Sequence, residues 1–430
     1  MLGTVILLFV IANVAIIVPY GLLDLDSITT MVGLICLAPL LLLFIWIRRP
    51  KLTHVLLATP DPNGRMTHPI TNARMLSTPM PTRFSHHLIR DSPPLEMPPT
   101  STLWIVFAIT VTVSFVGLLP MLFFDEPIVY IIALLIGIPA WLFGFSLPVH
   151  AWWAFSTRYL KLTTTKYEGE RMLVAGMLST IPAIFINSIL FPLLLLLVGI
   201  ESMDPGTLGE FLILAVSAPV GEEICKALLI LTLARMIDSP RRGFQVGFSV
   251  GLGFAMLENL QYILVSLSNE GAAITYTMTA IVRGVGSIPG HAFWTGLSGT
   301  AIGWWLCTRR GVYMPNEYDR DSTWQIFDPE TGRLISSEQT LTKMSARVQR
   351  WLEKPYDRCW SLPKSPAVGI GLGIIGHSIW NGSSWLVGML FVDFSIGVQI
   401  FAMLCWVAVL IGSLWWIGRE ILAAVKHLPA

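Results

Sequence analysis

Ten stretches of the chain, at residues 2–20, 29–47, 102–124, 128–153, 172–200, 211–237, 244–267, 279–307, 366–392 and 395–417, are apolar over the length of a bilayer crossing. Such a crossing takes about 20 apolar residues in helical form, because in lipid the backbone must satisfy its own hydrogen bonds. The expected fold is therefore all-α, a polytopic transmembrane helix bundle of about 9–10 spans. The count has two values because RGVGSIPGH, from Arg283, breaks the run 273–307 and can divide a short interfacial segment from the span proper. Composition agrees: 13% of residues are charged, against about 25% in soluble domains. The apolar N-terminus lacks the Lys or Arg that opens a secretory signal peptide and reads as a retained first span.

Basic residues set the expected orientation, since Lys and Arg accumulate on the cytoplasmic side. Of the 28 Lys and Arg, 26 lie in the alternate loops 48–101, 156–171, 235–243, 308–365 and 418–430, and the connectors between them carry acid without base. Both termini are expected to be cytoplasmic, in a multi-pass protein of the cell membrane. The chain then divides into two spans (1–47), a Pro-rich loop (48–101), two spans with a basic loop (102–171), the spans 172–307, a second loop (308–365) and two last spans with a short tail (366–430). With ten prolines, 48–101 reads as a disordered tether. In QTLTKMSARVQRWLEK, Leu341, Met344, Val348, Trp351 and Leu352 recur at helical spacing opposite Lys343, Arg347 and Arg350. That pattern suits an amphipathic helix on the headgroups or a docking site for a soluble partner. A net charge of +1 provides no surface for nucleic acid, and the five scattered cysteines form no metal-ligand pair.

The polar residues at membrane depth are concentrated in four consecutive spans. APVGEEICK, from Ala218 to Lys226, puts Glu222, Glu223 and Lys226 in the middle of the run 211–237. Each charge at the centre of a bilayer costs about 2.5–3.5 kcal/mol or more, so partners inside a bundle are required. Either glutamate can share a helix face with Lys226, three or four residues on. Adjacent residues point about 100° apart, so the two carboxylates are expected to do different jobs. The next span carries Glu258 and Asn259 after Gly247, Gly251 and Gly253, with Tyr262 one turn beyond. Arg283 and His291, with Thr295 one turn later, belong to the eighth span, and His377, with Asn381 one turn later, to the ninth. A structural reading of any one residue is available: a buried Glu–Lys ion pair, a Glu258–Arg283 pair, a packed histidine. Their convergence from four spans favours a shared site.

GEEICKALL, GLGFAMLENLQY, RGVGSIPGH and GHSIWNG, in that order over residues 172–417, resemble the motifs of the PrsW-type intramembrane proteases. These are similar in turn to the CAAX prenyl endopeptidases and to the scaffold subunit of gamma-secretase. The resemblance implies a peptidase acting on membrane-embedded protein substrates in the lipid bilayer, with Glu222 and Glu223 in the general-base position and Glu258, His291 and His377 completing the site. It further implies that His377 and Asn381 stabilise the oxyanion, with Lys226, Asn259 and Arg283 in support. In this reading a glutamate activates water and no cofactor is needed. The rival puts zinc between Glu258, His291 and His377; the absence of HExxH weakens it without removing it. A non-catalytic scaffold or peptide-binding subunit needs less chemistry than these residues supply, and a proton-coupled transporter would bring repeats that the sequence lacks. Oligomeric state has no signature in the sequence.

Overall fold

The computed structural model describes residues 2–49, 52–71, 74–90, 94–268, 271–311 and 346–429. Helical rods occupy all ten apolar runs: α1 (Gly3–Leu23), α2 (Ser27–Ile47), α3 (Thr100–Leu122), α4 (Pro127–Leu160), α5 (Lys166–Leu197), α6 (208–232), α7 (Pro240–Leu267), α8 (272–310), then after a short α9 (Ala346–Leu352) the last two, α10 (Pro366–Leu390) and α11 (Ile396–Lys426). Among the described residues seven of them, α1–α5, α7 and α11, are long and apolar enough to cross a membrane. The three that fall short, α6, α8 and α10, carry Glu222, Glu223, Lys226, Arg283, His291 and His377. Their lower hydropathy is the mark of the polar residues they bear. The run 273–307 is one continuous rod, its RGVGS stretch a π turn inside the helix.

The centre of the bundle is α7. Two thirds of its most apolar window (67%) is buried in protein, against 6% for α2. Glycine explains how so many neighbours reach it. Gly243, Gly247 and Gly251 recur every fourth residue and form a stripe against α8, where a methyl on Gly247 would lie 2.3 Å from the Thr295 carbonyl oxygen and one on Gly251 2.3 Å from that of His291. On another face a methyl on Gly253 would lie 2.0 Å from the Leu173 carbonyl of α5. Lipid tails are as apolar as leucine, so helices in a membrane associate by close packing, for which glycine removes the obstacle. Phe244, Phe248, Phe293 and Leu252 fill the core beside these contacts.

The loop 48–101, expected to be a disordered tether, instead carries an antiparallel hairpin of β1 (Leu52–Thr71) and β2 (Arg74–Arg90). Its continuous ladder, from Leu52 opposite Arg90 to Pro60 opposite Thr82, precedes the proline-rich stretch, and pairing resumes only at Arg65. DPNG, residues 61–64, is thus looped out, with the Asp61 carboxylate accepting from the Asn63 backbone N–H at 2.9 Å. Proline content argues against a buried core, but a two-stranded ribbon needs only its own backbone hydrogen bonds. Of the amphipathic stretch in the second loop, Leu341, Lys343 and Met344 lie outside the described residues. Its C-terminal part is α9, which packs on α11: Leu352 is buried and the Trp351 carbonyl accepts from Arg419 Nε at 2.8 Å.

Two alanine substitutions separate close packing from helix propensity. Gly247→Ala should lower stability by about 1–3 kcal/mol through overpacking. At Gly137 an added methyl meets nothing within 4 Å, and Gly137→Ala should be neutral or stabilising, since alanine is the better helix former. Thermal unfolding of the detergent-solubilised protein reads both.

Candidate active site

Three π turns bend the rods where the polar residues are needed. They span Ile186–Leu190, Ile213–Ser217 and Arg283–Ser287, and each is followed two residues later by a proline: Pro192, Pro219 and Pro289. Proline offers no N–H to a preceding turn and its ring presses on the carbonyl there, and a widened turn relieves both. Carbonyls left over by these prolines find side-chain donors instead. Asn381 Nδ2 donates to Leu214 O at 3.1 Å, Trp152 Nε1 to Gly284 O at 3.0 Å, and Trp415 Nε1 to Val285 O at 2.8 Å. Ser217 Oγ donates to Asn187 Oδ1 at 3.1 Å, joining the first two turns.

Lys226 is the hub of the site. Its side chain is fully buried, and its ammonium lies 2.7 Å from Glu223 Oε1, 2.9 Å from His291 Nδ1 and 3.4 Å from Glu222 Oε2, with the Phe254 ring centroid at 3.8 Å. An ammonium only donates, so His291 accepts at Nδ1 and carries its proton on Nε2. Nε2 in turn lies 2.9 Å from Glu258 Oε2, which is also 3.0 Å from Arg283 NH1. Arg283 stacks on Tyr262 at 3.4 Å and donates to Ser287 Oγ at 3.2 Å. Three helices, α6, α7 and α8, thus contribute to one polar chain, Glu223–Lys226–His291–Glu258–Arg283.

The adjacent glutamates differ as their angular separation requires. Glu223 is closed off, accepting from Lys226 on one oxygen and from Thr295 Oγ1 on the other at 3.1 Å. Glu222 faces a cavity of about 250 Å³, which it lines with Glu258, Arg283, His291, His377 and Asn381. His377 Nδ1 is buried without a hydrogen-bond partner, 3.5 Å from Glu223 Oε1 and 3.9 Å from Glu222 Oε2. Trp294 stacks on the His377 ring at 4.8 Å and fixes its plane. At one rim Trp385 Nε1 donates to Glu210 Oε2 at 2.7 Å, bridging α10 and α6.

Every residue expected from the sequence except Asn259 reaches this cavity or its ion-pair network. Asn259 is fully buried and its amide donates along its own helix to Ala255 O at 2.6 Å. Tyr262, one turn beyond Glu258, lies under the Arg283 guanidinium. Trp294, Ser287 and Trp385 were not identifiable, since an aromatic or serine within a span is ordinary and only the fold brings these to the site. The zinc set expected from the sequence is also rearranged. Glu258 is engaged by Arg283 and His291, and among the described residues the side chains that each offer a donor atom within 4.8 Å of one another are Glu222, His291 and His377.

Residues 171–315 match the family model described as PrsW family intramembrane metalloprotease. This segment is a PrsW-type intramembrane protease domain. No curated protein and no solved structure matches the chain. The PrsW-type segment contains Glu222, Glu223, Lys226, Glu258, Arg283 and His291, while His377 and Asn381 join it from α10, beyond its C-terminal limit. The chain is accordingly a peptidase of the multi-pass, membrane-embedded kind.

Removing the hub leaves two buried carboxylates uncompensated. Lys226→Met should therefore destabilise the protein by about 3–5 kcal/mol. Adding Glu223→Gln should recover part of that loss, whereas two independent sites would sum. Melting temperatures of the two single variants and the double variant complete the cycle.

Proposed function

We propose that this peptidase cleaves peptide bonds of membrane-embedded protein substrates with a water molecule activated by Glu222. The observation that carries the reading is the asymmetry of the glutamate pair: Glu222 opens on the cavity, while both oxygens of Glu223 are occupied. In this mechanism Glu222 removes a proton from water, and the resulting hydroxide adds to the scissile carbonyl. Asn381 has one amide hydrogen committed to Leu214 O, and the second is available to the developing oxyanion together with the His377 ring. Protonated Glu222 then gives its proton to the departing amine as the C–N bond breaks. Glu223 holds Lys226, and Lys226 holds Glu222 and His291, so both act by positioning.

A second reading is favoured by a specific feature, the buried and unpartnered His377 Nδ1 beside Glu222 and His291. One carboxylate and two imidazoles are a donor set suited to zinc, and these residues fit such an ion once His291 gives up either Lys226 at Nδ1 or Glu258 at Nε2. Glu222, His291 and His377 would hold it, and bound there it would supply Lewis-acid polarisation of a substrate carbonyl. In that case Glu222 is a ligand, and the proton-handling role passes from it.

Cleavage of single-span peptides by the purified protein in lipid tests the assignment. Glu222→Gln should abolish turnover while leaving the fold intact, and Asn381→Ala should lower kcat by about 10²–10³-fold, as for loss of one oxyanion donor. Full activity of both variants would overturn the site. Elemental analysis separates the two readings: metal-free protein with undiminished activity after chelator dialysis supports activation by Glu222 alone. One zinc per chain, lost together with activity and restored together with it, supports the metal.

A further inference from the structure

A second cavity, larger than the active site, lies between α3, α4, α8, α9 and α11, with a volume of about 610 Å³. That is within the range of about 300–1,000 Å³ typical of small-molecule sites. Its walls grade from apolar to cationic along one direction. The inner part is formed by Trp104, Trp152, Phe155, Phe293 and Trp415. Trp152 meets the other four rings edge to face at 5.5–6.3 Å. Because the Trp152 and Trp415 N–H groups are spent on Gly284 O and Val285 O, these indoles present only carbon to the cavity.

Three arginines form the outer part, Arg158, Arg347 and Arg419, and among the described residues no acidic side chain lines the cavity. Arg158 lies six residues from Trp152 along α4, about 9 Å at 1.5 Å per residue. It is anchored by the carbonyls of Met97 and Pro98 at 2.6 and 2.8 Å. Arg419 is one turn beyond Trp415, is fixed by the Trp351 carbonyl at 2.8 Å and pairs through NH1 with Glu420 at 3.2 Å. Arg347 is exposed on α9. The mouth lies where α3 begins and α4 and α11 end, beside three of the basic loops. It is therefore at headgroup level, with the aromatic floor at acyl-chain level.

We propose that this cavity binds one anionic phospholipid, its acyl chain between the Trp and Phe rings and its phosphate at Arg347 and Arg419. Charge complementarity selects the occupant. An acyl chain alone would fill the floor but leave the Arg347 and Arg419 guanidinium groups facing an apolar ligand, whereas a phosphate on the same molecule meets the arginine fork geometry. This site is separate from the glutamate cavity and does not depend on how that cavity works.

The test uses the full-length chain, stripped of lipid in detergent and loaded with phosphatidylglycerol carrying a diazirine at the end of an acyl chain. After irradiation, cross-links should concentrate on peptides containing Trp104, Trp152, Phe293 and Trp415. Unlabelled phosphatidylglycerol should compete, while phosphatidylcholine and free oleate should compete at least about fivefold less well per arginine engaged. Arg347→Gln, at an exposed position, should weaken retention about fivefold with unchanged melting temperature, and Arg347→Lys should restore most of it. Four outcomes would overturn the proposal: cross-links spread over the lipid-facing belt, equal competition by phosphatidylcholine, equal competition by oleate, or floor residues joined instead to peptides of 312–345. The last would make the occupant a segment of the chain itself.

Discussion

One buried ammonium organises the polar interior of this protein. Lys226 has three N–H bonds and uses them on three side chains, two glutamates of its own helix and one histidine of α8. Without it, Glu222 and Glu223 would be like charges on adjacent residues in a medium that screens them poorly. With it, one of them is immobilised and the other is left facing the cavity. Through His291 the same group orients Glu258, and Arg283 closes the sequence of charges at its far end. Three carboxylates against two cations leave a residual negative charge in the cavity, to be met by one proton or by a cation.

The helices that bring these groups together are set by two devices of opposite effect. Glycines at Gly243, Gly247 and Gly251 let α7 and α8 approach until backbone meets backbone, which brings Glu258 and His291 side by side. Prolines at Pro219 and Pro289 loosen a turn just before the motif residues and release carbonyls to side-chain donors. Packing thus supplies the rigid part of the site, and the widened turns supply its irregular acceptors.

Much of this was legible in the sequence. The apolar runs located every long rod, because a bilayer imposes length and hydropathy together. The clustered ionisable residues showed themselves as charges where charge is expensive, and the unlike surroundings of Glu222 and Glu223 followed from helical geometry. What stayed hidden depends on side-chain direction or on pairing between distant strands. Asn259 turns to its own backbone, Tyr262 lies against Arg283, and Glu258 yields its place beside the two histidines to Glu222. The hairpin in 48–101 was concealed because composition reports on core burial, and a ribbon of two strands has no core to report.

The glycine stripe also decides which parts of the bundle can move. A helix pair in backbone contact has no layer of side chains between its axes to yield, so α7 and α8 can only travel together as one body. On the other side of the glutamate cavity, α10 meets α6 through side chains, with Trp385 on Glu210 and Phe211. Any widening of the cavity is therefore borne at that second seam. The cavity thus has backbone contact on one flank and an aromatic side-chain seam, Trp385 against Phe211, on the other.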